Sequence, residues 1–164
     1  MQKTIVLRHR RENRKKCSLQ CLAEHPDFIF INYPDGIVPS LEGFVMLSLE
    51  GPLLTERDRD AGLFIIDGTW RHAKTMEKFV GAECPRRSLP AHFVTAYPRR
   101  QNDCADPARG LASIEALFIA FTILGRSTTG LFDRYRWGAL FLELNKFTEK
   151  GDEHFEHDKN AQKR

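Results

Sequence analysis

The segment FIIDGTWRHAKTM, Phe64 to Met76, constrains the fold more than any other. An apolar run of strand-forming residues stops at a carboxylate, Asp67, and Trp70 then opens a pattern of helical period. Strand, acid, turn and helix in so short a stretch describe a β-to-α passage. Open α/β sheets bind ligands outside the carboxyl ends of their strands. Asp67 therefore falls where a pocket with one placed charge is most often built, and the chain reads as an enzyme acting on a small ligand.

The rest of the sequence supplies the matching elements. Thr4 to Leu7, Phe28 to Asn32, Phe44 to Leu47 and Leu63 to Ile66 read as strands, with a fifth at His92 to Ala96. Helical patterns lie between them. Ser18 is expected to cap a short helix through His25, Thr55 with Asp58 resembles a capping box, and Thr69 is expected to cap a helix carrying Trp70, Ala73, Met76, Phe79 and Val80 on one face. Alternation of this kind predicts an α/β fold with a mostly parallel sheet flanked by helices. Leu111 to Leu124 is apolar nearly all round, as in a helix buried on several sides, and Gly125 is placed to end it. Leu131 to Phe147 spaces Tyr135, Trp137, Leu140, Phe141 and Leu144 as an amphipathic helix would. At 164 residues, the expectation is a single domain over residues 1–150 and a mobile polar tail over 151–164.

Several classes of protein lose support. The apolar run LFIAFTILG is far short of the roughly 18 residues a spanning helix needs, and MQKTIVLRHRR lacks the form of a signal peptide, which suggests a cytoplasmic protein. Cys17, Cys21, Cys84 and Cys104 include no CxxC pair, so reduced thiols and no metal site are expected. There is no GxGxxG, P-loop, GxSxG or HExxH motif. The net charge of +3 is modest but uneven: Arg8, Arg10, Arg11, Arg14, Lys15 and Lys16 crowd one segment against Glu12 alone. Arg99 and Arg100 add a basic turn. Such runs suit RNA phosphates or form a solvated loop, and charge does not choose between them.

The candidate residues each carry two readings. Asp67 can satisfy the first free amides of the following helix or act as a general base. Trp70 can be core or can stack on a nucleobase. Gly110 and Ala112 around Leu111 can let backbone amides approach a flat ring or can serve helix-entry packing. His9 and His72 are isolated in sequence, where a histidine is more often a satisfied residue than a ligand.

Four blocks, RENRKKCSL, DGTW, LASIEAL and YRWGALFLELN, occur in an order and spacing that resemble the DTW-domain RNA aminocarboxypropyltransferases, most closely their ribosome-biogenesis branch. The resemblance spans about residues 4–148. It implies a SPOUT-like fold with a C-terminal trefoil knot, S-adenosylmethionine as cofactor, and transfer of the 3-amino-3-carboxypropyl group to a uridine or pseudouridine. The implied partner is ribosomal RNA, with transfer RNA as the second possibility because Gly68-Thr69 is closer to the transfer-RNA-modifying relatives.

The resemblance also implies roles by position. Asp67 matches the acid that deprotonates or orients the uridine, and Trp70 the tryptophan that packs on the cofactor. Ser18 matches a threonine on the cofactor carboxylate. Leu47 and Leu49 match an LSP-like turn lining the adenosine pocket, here LSL. Phe93, Val94 and Leu111 match adenine contacts, and Ala112 stands where the family often has serine. Two other readings remain: a SPOUT-type RNA methyltransferase, and a non-catalytic RNA-binding factor of ribosome assembly.

Overall fold

The computed structural model describes residues 3–15, 17–98 and 110–147. Among these residues five strands form one sheet: β1 Thr4–His9, β2 Phe28–Tyr33, β3 Phe44–Leu47, β4 Gly62–Asp67 and β5 Arg86–Arg87. Their order is β2-β1-β4-β3-β5, and every pairing is parallel. Among the described residues three α-helices accompany them: α1 Trp70–Phe79, α2 Ser113–Ile123 and α3 Gly138–Leu144. The mostly parallel α/β architecture is as expected. Among the described residues no helix is long and apolar enough to cross a membrane.

Helices cover both faces of the sheet, so its central strands read as continuous apolar runs. Period-two alternation sorts their side chains. Ile5, Leu7, Ile31, Met46 and Phe64 pack with Met76 and Val80 on the α1 side. Val6, Phe28, Val45, Leu63 and Ile65 pack with Ile114, Leu117, Ala120 and Leu124 on the α2 side. Helix α2 is apolar nearly all round because a second group, Phe93, Ile119 and Phe141, closes over its far side. Gly125, at φ 65°, ends it in the left-handed conformation that glycine tolerates.

Four expectations are corrected. The fifth strand is Arg86–Arg87, not His92 to Ala96. The latter segment is held by side chains instead: Val94 N–H and C=O bond the Asn145 amide, and Ala96 N–H bonds Glu115. The amphipathic pattern from Leu131 becomes helix only at Gly138. Before it, successive turns bond Leu131 to Thr128, Asp133 to Gly130, Tyr135 to Phe132 and Gly138 to Tyr135. Phe141 is fully buried, whereas Leu140 and Leu144 are largely exposed. A Cβ on Gly138 would come within 2.8 Å of Phe132 Cβ, which makes a side chain costly at this entry. The helix expected after Ser18 shrinks to one 3-10 turn, Gln20–Leu22. Thr69 stands at the entry to α1, but its hydroxyl pairs with His72 Nδ1 at 3.2 Å and caps no amide.

The capping box forms as expected: Thr55 Oγ1 accepts from Arg57 N–H, and Asp58 accepts from Thr55 N–H. Asp58 also holds Arg87 Nε at 3.0 Å, tying this turn to β5. The tail at 151–164 lies outside the described residues.

Candidate active site

Alternation along β1 sends Arg8 to the α2 side, and alternation along β4 sends Asp67 there too. The two are register partners across the β1–β4 ladder. Arg8 Nε donates to Asp67 Oδ2 at 3.1 Å, with both side chains less than a tenth exposed. Cys17 Sγ donates to the same oxygen at 3.0 Å, and Ser113 Oγ, in the first turn of α2, donates to Oδ1 at 3.1 Å. The Arg8 guanidinium also reaches Cys17 Sγ and stacks 4.5 Å from the centre of the Phe30 ring. Burial, followed by the charge and hydrogen bond of Asp67, pushes the Cys17 thiol up to about 12, so it remains a protonated donor. Asp67 thus bonds Arg8, Cys17 and Ser113 rather than the opening amides of α1.

Beside this cluster lies a cleft of about 140 Å³ at the carboxyl ends of β3 and β4. Leu47, Ser48 and Leu49 form one wall, and Leu89 to Ala91 with Phe93 form another. Helix α1 turns Trp70, Ala73 and Glu77 into it, positions three and four apart and hence on one face. Gly68 and Ser113 line the side nearest Asp67. The described walls are mostly apolar, with Ser48, Ser113 and one carboxylate, Glu77, which pairs with Arg86 at 3.6 Å.

A second polar network fixes the Phe93 wall. Buried Glu115 accepts from Thr95 Oγ1 at 2.6 Å, Ala96 N–H at 2.9 Å, Ala112 N–H at 2.8 Å and Tyr135 Oη at 3.0 Å. Four donors satisfy a carboxylate that would otherwise be costly to bury. Asn145 completes the arrangement, accepting from Val94 N–H and donating to Val94 C=O, each at 2.8 Å. The LASIEAL, YRW and FLELN blocks therefore converge on the 93–96 segment.

The expected cofactor residues divide. Leu47, Leu49, Trp70, Phe93 and Leu111 line the cleft. Ser18, Val94 and Ala112 stand outside its described wall. Ser18 Oγ accepts from Ile114 N–H and so anchors the start of α2. Both main-chain groups of Val94 are engaged by Asn145, and Ala112 is buried with its N–H on Glu115. The basic run divides as well. Arg10, Arg11, Arg14 and Lys15 are exposed, whereas Arg8, expected among them, is buried beneath Asp67 because it shares a face with Val6. Lys16, Arg99 and Arg100 lie outside the described residues.

Sequence reasoning missed Ser113, Cys17, Glu115, Glu77 and Asn145 as members of the site. The alternation from Val6 to Arg8 was a usable signal for the buried ion pair, and Ser113 directly follows the Ala112 that stands in for serine. Cys17, Cys21 and Cys84 are unbridged, and among the described residues no group of three His, Cys, Asp or Glu side chains could hold a metal ion.

Comparison with known proteins places the chain in a lineage. A 16S rRNA aminocarboxypropyltransferase of Methanopyrus kandleri is 30% identical over 149 residues, covering 87% of this chain and 84% of its own. The chain belongs to the 16S rRNA aminocarboxypropyltransferase family. A solved structure, that of the SAM-dependent rRNA:acp-transferase Tsr3 from Vulcanisaeta distributa, superposes with a TM-score of 0.67 at 23% identity, over 89% of this chain and 80% of that one. That likeness establishes a shared fold. No family model matches the chain.

Proposed function

We infer that this protein transfers the 3-amino-3-carboxypropyl group of S-adenosylmethionine to ribosomal RNA. The reading rests on family membership and, in the structure, on one arrangement: an indole-lined cleft at the strand ends that shares Ser113 with the buried Asp67 cluster. The donor set suits the cofactor. A flat apolar ring fits between Leu47, Leu49, Phe93 and Leu111. A sulfonium cation is favoured by an aromatic face, which Trp70 offers. When bound, the cofactor supplies electrophilic carbons on a positively charged sulfur. The cleft residues would select which of them faces outward, since in-line attack reaches only a carbon aligned with the acceptor.

Asp67 is proposed to deprotonate the acceptor nitrogen or to orient it, with Arg8, Cys17 and Ser113 fixing the carboxylate from three directions. The acceptor is proposed to be a uridine or pseudouridine. Arg10, Arg11, Arg14 and Lys15, joined by Lys16, Arg99 and Arg100, are proposed to bind phosphates, with transfer RNA as a second substrate class. The finer fold assignment, a SPOUT-like domain with a C-terminal trefoil knot, and a cytoplasmic location belong to the same proposal. The non-sequential parallel sheet and the return of Asn145 onto Val94 support the fold assignment.

The test is incubation of purified protein with S-adenosylmethionine and small-subunit ribosomal RNA, followed by nucleoside mass spectrometry. The expected products are an aminocarboxypropyl nucleoside and methylthioadenosine. A methylated nucleoside with S-adenosylhomocysteine would instead establish the methyltransferase reading, and RNA binding with no product the assembly-factor reading.

A further inference from the structure

The alternation that buries Arg8 on the α2 side turns His9 to the α1 side, where it meets His72 in the first turn of α1. Their rings stack with centroids 3.9 Å apart and planes 6° from parallel. Both rings are held from the side: His9 Nδ1 accepts from Arg11 N–H at 3.1 Å, and His72 Nδ1 shares a hydrogen bond with Thr69 Oγ1. Tyr33 lies behind His9 at 5.6 Å, and Phe79 meets Tyr33 edge-on at 5.3 Å. Among the described residues, no ring packs on the outer face of His72. Burial, then His72, Arg11 and Arg10, lower the pKa of His9.

We propose that this His9–His72 stack is a platform for an unpaired base of the RNA substrate, with the outer face of His72 as the stacking surface. The proposal rests on the reading of the chain as an RNA-modifying enzyme and adds the feature that presents the base. Three observations support it. First, the platform adjoins the cleft: a Cβ on Gly68 would lie 3.5 Å from His9 Cβ and 3.7 Å from His72 Cβ, and Gly68 both lines the cleft and follows Asp67 directly. Second, the pair is braced by two hydrogen bonds and by Tyr33, so little ring freedom is left to lose on binding. Third, Arg10 and Arg11 directly follow His9 and, with Arg14, are exposed. Aromatic surfaces interleaved with cations are how proteins hold single-stranded nucleic acid, the rings taking bases and the cations taking phosphates. A small uncharged ligand would have no use for that surround.

The test uses an RNA stem-loop with single-stranded uridines and a 2-aminopurine beside one of them, whose fluorescence reports stacking. Wild-type protein is expected to bind and to change that fluorescence. His72→Ala should weaken binding by roughly 5- to 150-fold, the range that loss of one stacked base produces. His72→Phe should restore most of the affinity, because a phenyl ring stacks but carries no proton. Thermal unfolding and S-adenosylmethionine affinity should be unchanged in both variants. Affinity and fluorescence in His72→Ala equal to wild type would overturn the proposal, as would a His72→Phe variant as weak as His72→Ala. The readout is binding, so it stands apart from the nucleoside analysis that tests the reaction.

Discussion

Arg8 and Asp67 are register partners on adjacent central strands and also a buried ion pair, joined at 3.1 Å beneath the first turn of α2. Removing one member leaves the other charged and buried, which costs about 3–5 kcal/mol. Arg8→Met and Asp67→Leu are each expected to destabilise the fold by about that amount. The double variant should cost clearly less than the sum of the two, since it removes both charges at once. Urea unfolding of the four proteins measures this coupling, and additive losses would show that the pair contributes nothing as a pair.

The Cys17 thiol, pushed up to about 12 by burial and by Asp67, makes a second prediction. At pH 8 its thiolate fraction is about 10⁻⁴, against about 10⁻¹ for a thiol at the ordinary value of 9.0, so native-state alkylation should be on the order of 10³-fold slower than for a free thiol. The raised value also sets the sign of its linkage to folding. The stabilisation is complete below pH 9, the unfolded value, and is lost as the pH rises toward 12. Peptide mapping after iodoacetamide treatment should find Cys17 unmodified until urea is added. Rapid native labelling would mean that the thiol is not the buried donor to Asp67.

The parallel sheet and the β4-to-α1 passage were legible because β-branched runs and helical periods alternate with little ambiguity. The cleft wall is legible in part: Leu47, Leu49, Trp70, Phe93 and Leu111 line it, whereas Ser18 bonds Ile114 N–H, Val94 bonds the Asn145 amide and Ala112 is buried outside the described wall. What could not be read was long-range polar pairing. Glu115 and Asn145 look like ordinary helix-surface residues in sequence, and only the fold brings their side chains onto main-chain groups at 94, 96 and 112. His92 to Ala96 reads as a strand in sequence because residues suited to extended backbone look alike whether their partner is a strand or a side chain. The run from Arg8 to Lys16 looks like one surface in sequence, although strand alternation separates its first member from those that follow.

Asn145 yields a third prediction. Asn145→Ala removes both bonds to Val94, each worth about 0.5–1.5 kcal/mol net, and frees the segment that carries Phe93. Cofactor affinity measured by calorimetry should fall by roughly 5- to 150-fold if that loss is expressed in binding. Asn145→Asp should fall between alanine and wild type, since it keeps the acceptor for Val94 N–H but loses the donor to Val94 C=O. An aspartate variant that binds as wild type would assign the clamp to the single N–H bond.

The exposed basic residues are expected to govern salt dependence. Each phosphate contact contributes about −0.7 to −0.9 to the slope of log K against log salt concentration. Replacing Arg10, Arg11 and Arg14 by glutamine should therefore flatten the slope by roughly 2 to 3 while cofactor affinity stays unchanged. An unchanged slope would remove this segment from the RNA interface. Arg8 is left out of the set because its charge is already committed to Asp67.

The last prediction separates the chemical role of Asp67 from its structural one. Its carboxylate accepts from Arg8, Cys17 and Ser113, so asparagine would keep the size of the side chain while removing the charge that Arg8 needs. Asp67→Asn should lose stability as an unpaired Arg8 demands, and should also slow transfer by roughly 10²-fold or more if the carboxylate takes or attracts the acceptor proton. Arg8→Met supplies the control: it disturbs the same pair but leaves a carboxylate beside the cleft. Single-turnover rates are compared at a temperature where both variants are folded, with saturating RNA and cofactor. A rate defect confined to Asp67→Asn assigns the chemistry to the carboxylate. Equal defects in the two variants would make Asp67 a positioning residue, and near wild-type transfer by Asp67→Asn would remove it from the reaction altogether.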